Sequence, residues 1–251
     1  MLFNVFGNKS NKAVVLIHGV LTPWQIWERQ IEVLKENYYV IVPALDGHIE
    51  EHGSEFTSVE NEARQIEDYI CKENIKAVFA LCGLSMGGVI AHKIFERNKL
   101  QIENLILDGA PLVKMSFIAE KAMTGAYKSI IHKSKLRDRK TLDNFKRDFL
   151  PERYLESYLK FADTMSDTTV ENMLHSVCAG DFTPAGNPDN TRILYMHGTK
   201  GNEVYSIKSA KKMKKHYTNL EVKCFEGYKH AELAVYEPDK WLDTVVSFLH
   251  E

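Results

Sequence analysis

The stretch "AVFALCGLSMGGVIAHKIFER", residues 77–97, decides the fold. Ala77 to Leu81 is the apolar run of a buried strand, and Val89, Ile90, Ile94 and Phe95 recur at helical spacing. Ser85 therefore falls at a strand-to-helix junction, with Gly83 and Gly87 two positions to either side, which matches G-x-S-x-G in the context that motif requires. A nucleophile on so tight a turn adopts an uncommon backbone conformation, and its flanking residues must be small to avoid collision. The following helix aims free N–H groups and the positive end of its dipole at the place where an oxyanion would develop. A structural glycine turn carrying a mere loop hydroxyl has the same letters, so the rest of the chain has to decide.

Outward from this junction, short apolar runs alternate with longer amphipathic stretches. The runs are Ala13–Ile17, Tyr39–Pro43, Ile102–Leu107, Ile193–Met196 and Val222–Phe225, and the helix candidates are Ile26–Lys35, Val59–Cys71, Gly87–Arg97, Ser206–His216 and Trp241–Leu249. This order predicts an α/β fold, a mostly parallel twisted sheet with helices on both faces, and Leu2–Phe6 is expected as one antiparallel edge strand. The alternation breaks between Pro111 and about Pro188. There Ala119, Met123, Tyr127 and Ile130 recur at helical spacing, as do Leu155, Leu159 and Ala162, so a helical insertion over 112–188 is expected between core segments 1–111 and 189–251. Its basic tract "KSKLRDRK", residues 133–140, reads as a solvated helix face or loop. Met115, Phe117, Ile118, Met123, Phe145, Phe149 and Phe161 give the insertion an apolar surface, part of it for packing and part available to line a pocket.

The 251 residues, 44% hydrophobic and 26% charged, suffice for one large core. A formal charge of -2 supplies no positive field for nucleic acid. Cys71, Cys82, Cys178 and Cys224 form no CxxC pair, and no N-terminal leader pattern is present, so a reduced, cytoplasmic setting is expected. No apolar run approaches the roughly 18 residues of a membrane span.

A serine hydroxyl is a poor nucleophile until a base takes its proton. Among ten histidines, His230 in "EGYKHAEL" follows the last strand after a glycine turn, which puts it on the same carboxyl edge of the sheet as Ser85. His92 and His216 read as structural or surface residues within helices, His197 as packed before the Gly198 turn, and His132, His175 and His250 as background. His18-Gly19 follows the first central strand. Gly19 permits close backbone approach to the Ser85 turn, leaving the Val20 and Met86 N–H groups as the expected oxyanion donors. The His18 side chain reads as a loop histidine held by hydrogen bonds.

At this point the chain resembles the α/β-hydrolases. The resemblance runs through "HGVLTPWQIWERQIEVL" (18–34), "YYVIVPALDGHIEEHGS" (38–54), the elbow itself, "LILDGAP" (105–111), "ILYMHGTKGNE" (193–203) and "FEGYKHAEL" (225–233). The second of these is similar to the family's D-x-x-G-H-G-x-S segment with extra residues between Gly47 and Gly53, and Asp46 and His48 are assigned there to loop structure. The likeness implies that the insertion caps the active site and that Ser85 is the nucleophile, with an acid between it and His230 in chain order. Where the family usually places an aspartate, three residues beyond the glycine of "LYMHG", this chain has Gly201, followed by Asn202 and Glu203. Glu203 is the expected acid, and Asp108, ending the "LILD" strand, competes with it.

The expectation is a serine ester hydrolase acting on a small-molecule ester with an apolar acyl or aryl group, through Ser85, His230 and Glu203, without metal or organic cofactor. Thioester or amide hydrolysis, acyl transfer, other chemistry on the same site and a non-catalytic binding module are the alternatives.

Overall fold

The computed structural model describes residues 1–50, 53–184 and 190–250. Ala13–Ile17 is buried at every position, as a strand must be when helices cover both faces of its sheet. It is β2 of seven strands: β1 Leu2–Phe6, β3 Tyr39–Ala44, β4 Ala77–Leu84, β5 Gln101–Asp108, β6 Arg192–His197 and β7 Leu220–Cys224. Their order in the sheet is β1-β3-β2-β4-β5-β6-β7. β1 pairs antiparallel with β3 and the other pairings are parallel. The two edges are blunted differently. β1 is short and half-exposed, and β7 carries Glu221 and Lys223.

Strand order reverses between β2 and β4. Right-handed crossovers then put α1, Glu28–Leu34, on one face and α2, Val59–Lys72, on the other. Accordingly α1 packs with α10, Pro238–His250, and α2 packs with α3, Met86–Arg97. The first face is closed by Trp27 and Trp241, both wholly buried, with ring centroids 5.2 Å apart.

Several expected boundaries move. The segment expected as one helix over Ile26–Lys35 begins instead with a tight 3-10 turn, Trp24–Trp27, because Ile26 N–H bonds back to the Pro23 carbonyl. The helix expected over Ser206–His216 is α8, Glu203–Met213, so His216 lies in the turn beyond it. The terminal helix starts earlier, at Pro238, a residue suited to a first turn. A five-residue helix, α9 Glu232–Tyr236, was too short to show a period.

Between β5 and β6 lie α4 Phe117–Lys135, α5 Arg139–Asp148, α6 Leu155–Thr164 and α7 Asp167–Ala179, and no strand among the described residues. Ser116, Asp138 and Ser166 cap α4, α5 and α7, each accepting from the N–H three residues on. The basic tract is partly paired within the segment: at the surface Arg137 forks onto Asp163 with two 2.7 Å bonds, and Lys135 donates to the Met165 carbonyl. Phe145 and Phe161 are buried, whereas Phe117 and Ile118 are exposed. The segment is tied to the stretch before α2 at Phe56, where Thr169 Oγ1 accepts from Phe56 N–H at 3.2 Å and Asn172 donates to the Phe56 carbonyl at 3.0 Å. Residues 51–52 and the expected boundary at 188–189 lie outside the described residues.

Candidate active site

β4 ends at Leu84 and α3 begins at Met86, so one residue makes the whole turn. Ser85 makes it with φ 54° and ψ -115°, a conformation that L-residues seldom adopt. The turn is held on both sides. Ser85 N–H donates to the Asp108 carbonyl at 2.8 Å, and the Ser85 carbonyl accepts from Gly88 and Val89. A Cβ at Gly83 would collide with the Gly87 carbonyl, and one at Gly87 with that of Ile17, so the motif glycines are required by close approach.

Parallel strands end together, and the loops after β4, β6 and β7 meet at one edge. His230, on the loop after β7, places Nε2 2.9 Å from Ser85 Oγ and Nδ1 3.0 Å from Glu203 Oε1. Glu203 opens α8, the first helical residue after the turn through Gly198 and Gly201. Burial opposes its ionisation, but the hydrogen bond and charge of His230, joined by the Ser206 hydroxyl and the nearby His197, outweigh that, and its carboxyl is held below the ordinary value. Asp108 lies beside this pair but bonds elsewhere, accepting from Trp241 Nε1–H at 3.1 Å. Burial, then repulsion from Glu203, pushes the Asp108 carboxyl up to about 7, against the opposing pull of His230 and Trp241.

The loop after β2 passes directly over the serine: a Cβ at Gly19 would sit 3.3 Å from Ser85 Cβ. Its amides alternate in use. Gly19 N–H donates to Thr22 Oγ1 at 3.0 Å and Leu21 N–H to His48 Nε2 at 3.1 Å, while Val20 N–H between them meets no acceptor among the described residues. Met86 N–H, the first of α3, is likewise without an acceptor there.

Two buried histidines shape this loop. His18 Nε2 accepts from Leu45 N–H at 3.1 Å, so its other nitrogen carries the hydrogen that reaches the Gly19 carbonyl at 3.0 Å. His48, whose ring lies 4.8 Å from that of His18, supports Leu21 in the same way and faces Phe161 of the insertion at 5.0 Å. Burial holds His18 down at about 4 and His48 well below the ordinary value, so both are neutral acceptors at neutral pH.

Sequence reasoning assigned His48 to loop structure and passed over its bond to Leu21, for which its place in the "DGHIEEHGS" segment was the available signal. It also passed over Gly109. That residue has φ 62°, and a Cβ there would stand 2.9 Å from His230 Cε1 and 3.1 Å from Nδ1. The signal was a glycine directly after a strand-ending aspartate. Of the other histidines, His92 and His197 are buried, and His132 and His175 sit on the surface beside Asp167 and Glu120.

Above Ser85 and His230 a small pocket is closed by Met115, Met123, Tyr127, Leu174 and Val177 of the insertion, with Asn202 and Tyr205 at its α8 side. Among the described residues no group of three or more His, Cys, Asp or Glu side chains could hold a metal ion, and no helix is long and apolar enough to cross a membrane.

Comparison with known proteins agrees with this architecture. A family model described as serine aminopeptidase, S33, matches residues 8–239. The chain belongs to this family of α/β-hydrolases. No curated protein matches it in sequence. Among solved structures it is similar to a protein of Desulfitobacterium hafniense assigned to the α/β-hydrolase family (21% identity, 99% of this chain and 100% of that one, TM-score 0.76). It is also similar to a structure from a study of carboxylesterases of Nitrososphaera gargenis (16%, 99% and 93%, TM-score 0.77) and to an esterase of Exiguobacterium antarcticum (22%, 99% and 95%, TM-score 0.71). At such identities these likenesses speak to the fold.

Proposed function

We propose that the chain is a serine hydrolase that cleaves carboxylic esters through an acyl-serine intermediate. The observation that carries this reading is the continuous line from Glu203 Oε1 to His230 Nδ1 and from His230 Nε2 to Ser85 Oγ, at 3.0 and 2.9 Å, on a strained turn beside two unused amides. Glu203 accepts from Nδ1–H and fixes the tautomer that leaves Nε2 free to accept the Ser85 proton. As that proton moves to Nε2, Oγ bonds to the ester carbonyl carbon and the carbonyl oxygen becomes an oxyanion. The Val20 and Met86 N–H groups donate to it, each such donor being worth roughly 10²- to 10³-fold in rate. Collapse breaks the bond to the alkoxy group, which leaves as an alcohol with the proton from His230. Water then repeats the sequence on the acyl-serine. The helices between β5 and β6 act as a cap over this site.

The same steps serve an amide, and the family description names an aminopeptidase, so amide cleavage is the second reading. A panel of p-nitrophenyl esters, acyl-CoA thioesters and aminoacyl p-nitroanilides, run on the wild type and on Ser85→Ala, separates them. Ester turnover lost in Ser85→Ala supports the proposal. Turnover confined to the anilides replaces it with the second reading, and turnover that survives in Ser85→Ala removes both.

A further inference from the structure

Val20 sits between two peptide planes, and each is pinned by a side chain. A trans peptide is planar, so its C=O and N–H point in opposite directions and fixing one aims the other. The Gly19 carbonyl, which shares its plane with Val20 N–H, accepts from His18 Nδ1–H and from the Thr22 hydroxyl, both at 3.0 Å. That hydroxyl also accepts from Gly19 N–H at 3.0 Å, so one oxygen clamps both polar groups of Gly19. Among the described residues, Val20 lines the pocket over Ser85 beside His230, whereas His18 and Thr22 are buried and do not line it. Holding the carbonyl on their side leaves Val20 N–H aimed the other way.

The next plane is pinned through Leu21. Its φ of 55° lies in the left-handed region, which a bulky, wholly buried residue keeps only when its surroundings hold it there. The holding group is His48, whose Nε2 accepts from Leu21 N–H at 3.1 Å. Local sequence sets the other clamp: Pro23 keeps the backbone of Thr22 out of the helical region, and the branched Cβ of Thr22 restricts its χ1. The hydroxyl is in place before any substrate arrives.

We propose that Thr22 and His48 are positioning residues of the hydrolysis: without touching the reacting atoms, they hold the Gly19–Val20 and Val20–Leu21 peptides so that Val20 N–H meets the oxyanion. This rests on the acyl-serine reading above and names what aims one of its donors. Without the Thr22 hydroxyl, Gly19 N–H is left unpaired in buried surroundings, and rotation of this backbone to find a new acceptor carries Val20 N–H off its target.

Four variants test this. Thr22→Val keeps the shape and removes the hydroxyl, and Thr22→Ser keeps the hydroxyl. His48→Phe keeps a ring and removes the acceptor, and His48→Gln supplies one again. Each is assayed for kcat and KM with p-nitrophenyl acetate and for inhibition by phenethyl trifluoromethyl ketone, which adds to a serine Oγ and then carries an oxyanion, with circular dichroism to confirm folding. Thr22→Val and His48→Phe should each lower kcat by roughly ten- to a hundredfold, hold KM within about threefold of the wild type and weaken the ketone by at least about tenfold. Thr22→Ser should stay within about threefold of the wild type, and His48→Gln should exceed His48→Phe in kcat by at least about threefold. His48→Phe keeps the test open if Thr22→Val does not fold. Folded variants that keep kcat, a fall in kcat without loss of ketone affinity, or equal losses in Thr22→Ser and Thr22→Val would overturn the inference while leaving the acyl-serine mechanism standing. A wild type that turns over no ester and is not labelled at Ser85 by a fluorophosphonate would instead bring down the mechanism and this inference with it.

Discussion

The carboxyl edge of the sheet and the helical insertion above it are held by different physics. At the edge, groups are fixed by the backbone: Ser85 N–H on the Asp108 carbonyl, His48 on Leu21 N–H, His18 on Leu45 N–H, and Ser206 Oγ on the Gly109 carbonyl, all in buried surroundings. In the insertion, many polar contacts are exposed ion pairs, such as Arg137–Asp163, Lys128–Glu171 and Lys146–Glu152. Pairs of that kind are screened by solvent and add little to stability. On the proposed reading, the edge positions the reacting groups, and the helices between β5 and β6 contribute the side chains that close the pocket above them.

The sharpest way to break this contrast is at the serine. Ser85→Ala and His230→Ala should each lower kcat by roughly 10⁴- to 10⁶-fold while leaving the melting temperature nearly unchanged. Steady-state kinetics beside thermal denaturation checks both halves, and retention of most activity would end the proposed mechanism.

Next comes the pair of carboxylates. Glu203→Gln should cost more than about 10²-fold in kcat, and Asp108→Asn less than about tenfold, because only Glu203 bonds the imidazole. Equal mild losses would reject both as the acid. Asp108 should declare itself in stability instead. Its carboxyl titrates near 7 in the fold against an ordinary 3.8, so between those values the folded chain keeps a proton that the unfolded chain has lost. Stability from this group is present at low pH and declines as pH rises from about 4 to about 7. Asn keeps an acceptor for Trp241 and removes the charge beside Glu203, so Asp108→Asn should gain over the wild type at pH 8 and show little difference at pH 4 in urea denaturation.

A smaller loss is expected at Gly109. A methyl group there meets the His230 ring, and a displacement of about 1 Å can cost roughly 10²-fold. Gly109→Ala should lower kcat by about ten- to a hundredfold with little change in KM, and a loss confined to KM would contradict the geometric argument. The smallest effect belongs to the insertion surface, where Asp163→Asn should change stability by less than about 1 kcal/mol in urea denaturation.

Much of the frame was legible from the letters. The seven strands were expected from runs such as "AVVLI" and "LIL", whose unbroken apolar character suits strands buried on both faces. The elbow was legible because few other contexts put glycines two residues either side of a serine between a strand and a helix. The choice of acid was not. Asp108 ends β5 and Glu203 follows β6 at the same sheet edge, and only the path of the turn through Gly198 and Gly201 brings one carboxylate onto Nδ1. Tyr127 shows a further limit: its spacing with Ala119, Met123 and Ile130 marks a helix face, and spacing alone cannot separate a side chain that fills a core from one that closes a pocket.

The most direct measurement is the site and rate of labelling by a fluorophosphonate, read by peptide mass spectrometry on the wild type and His230→Ala. The account predicts modification at Ser85 and a rate at least about a hundredfold lower without the imidazole. Folded wild-type protein that stays unlabelled, or that takes up the label at a different side chain, would contradict it.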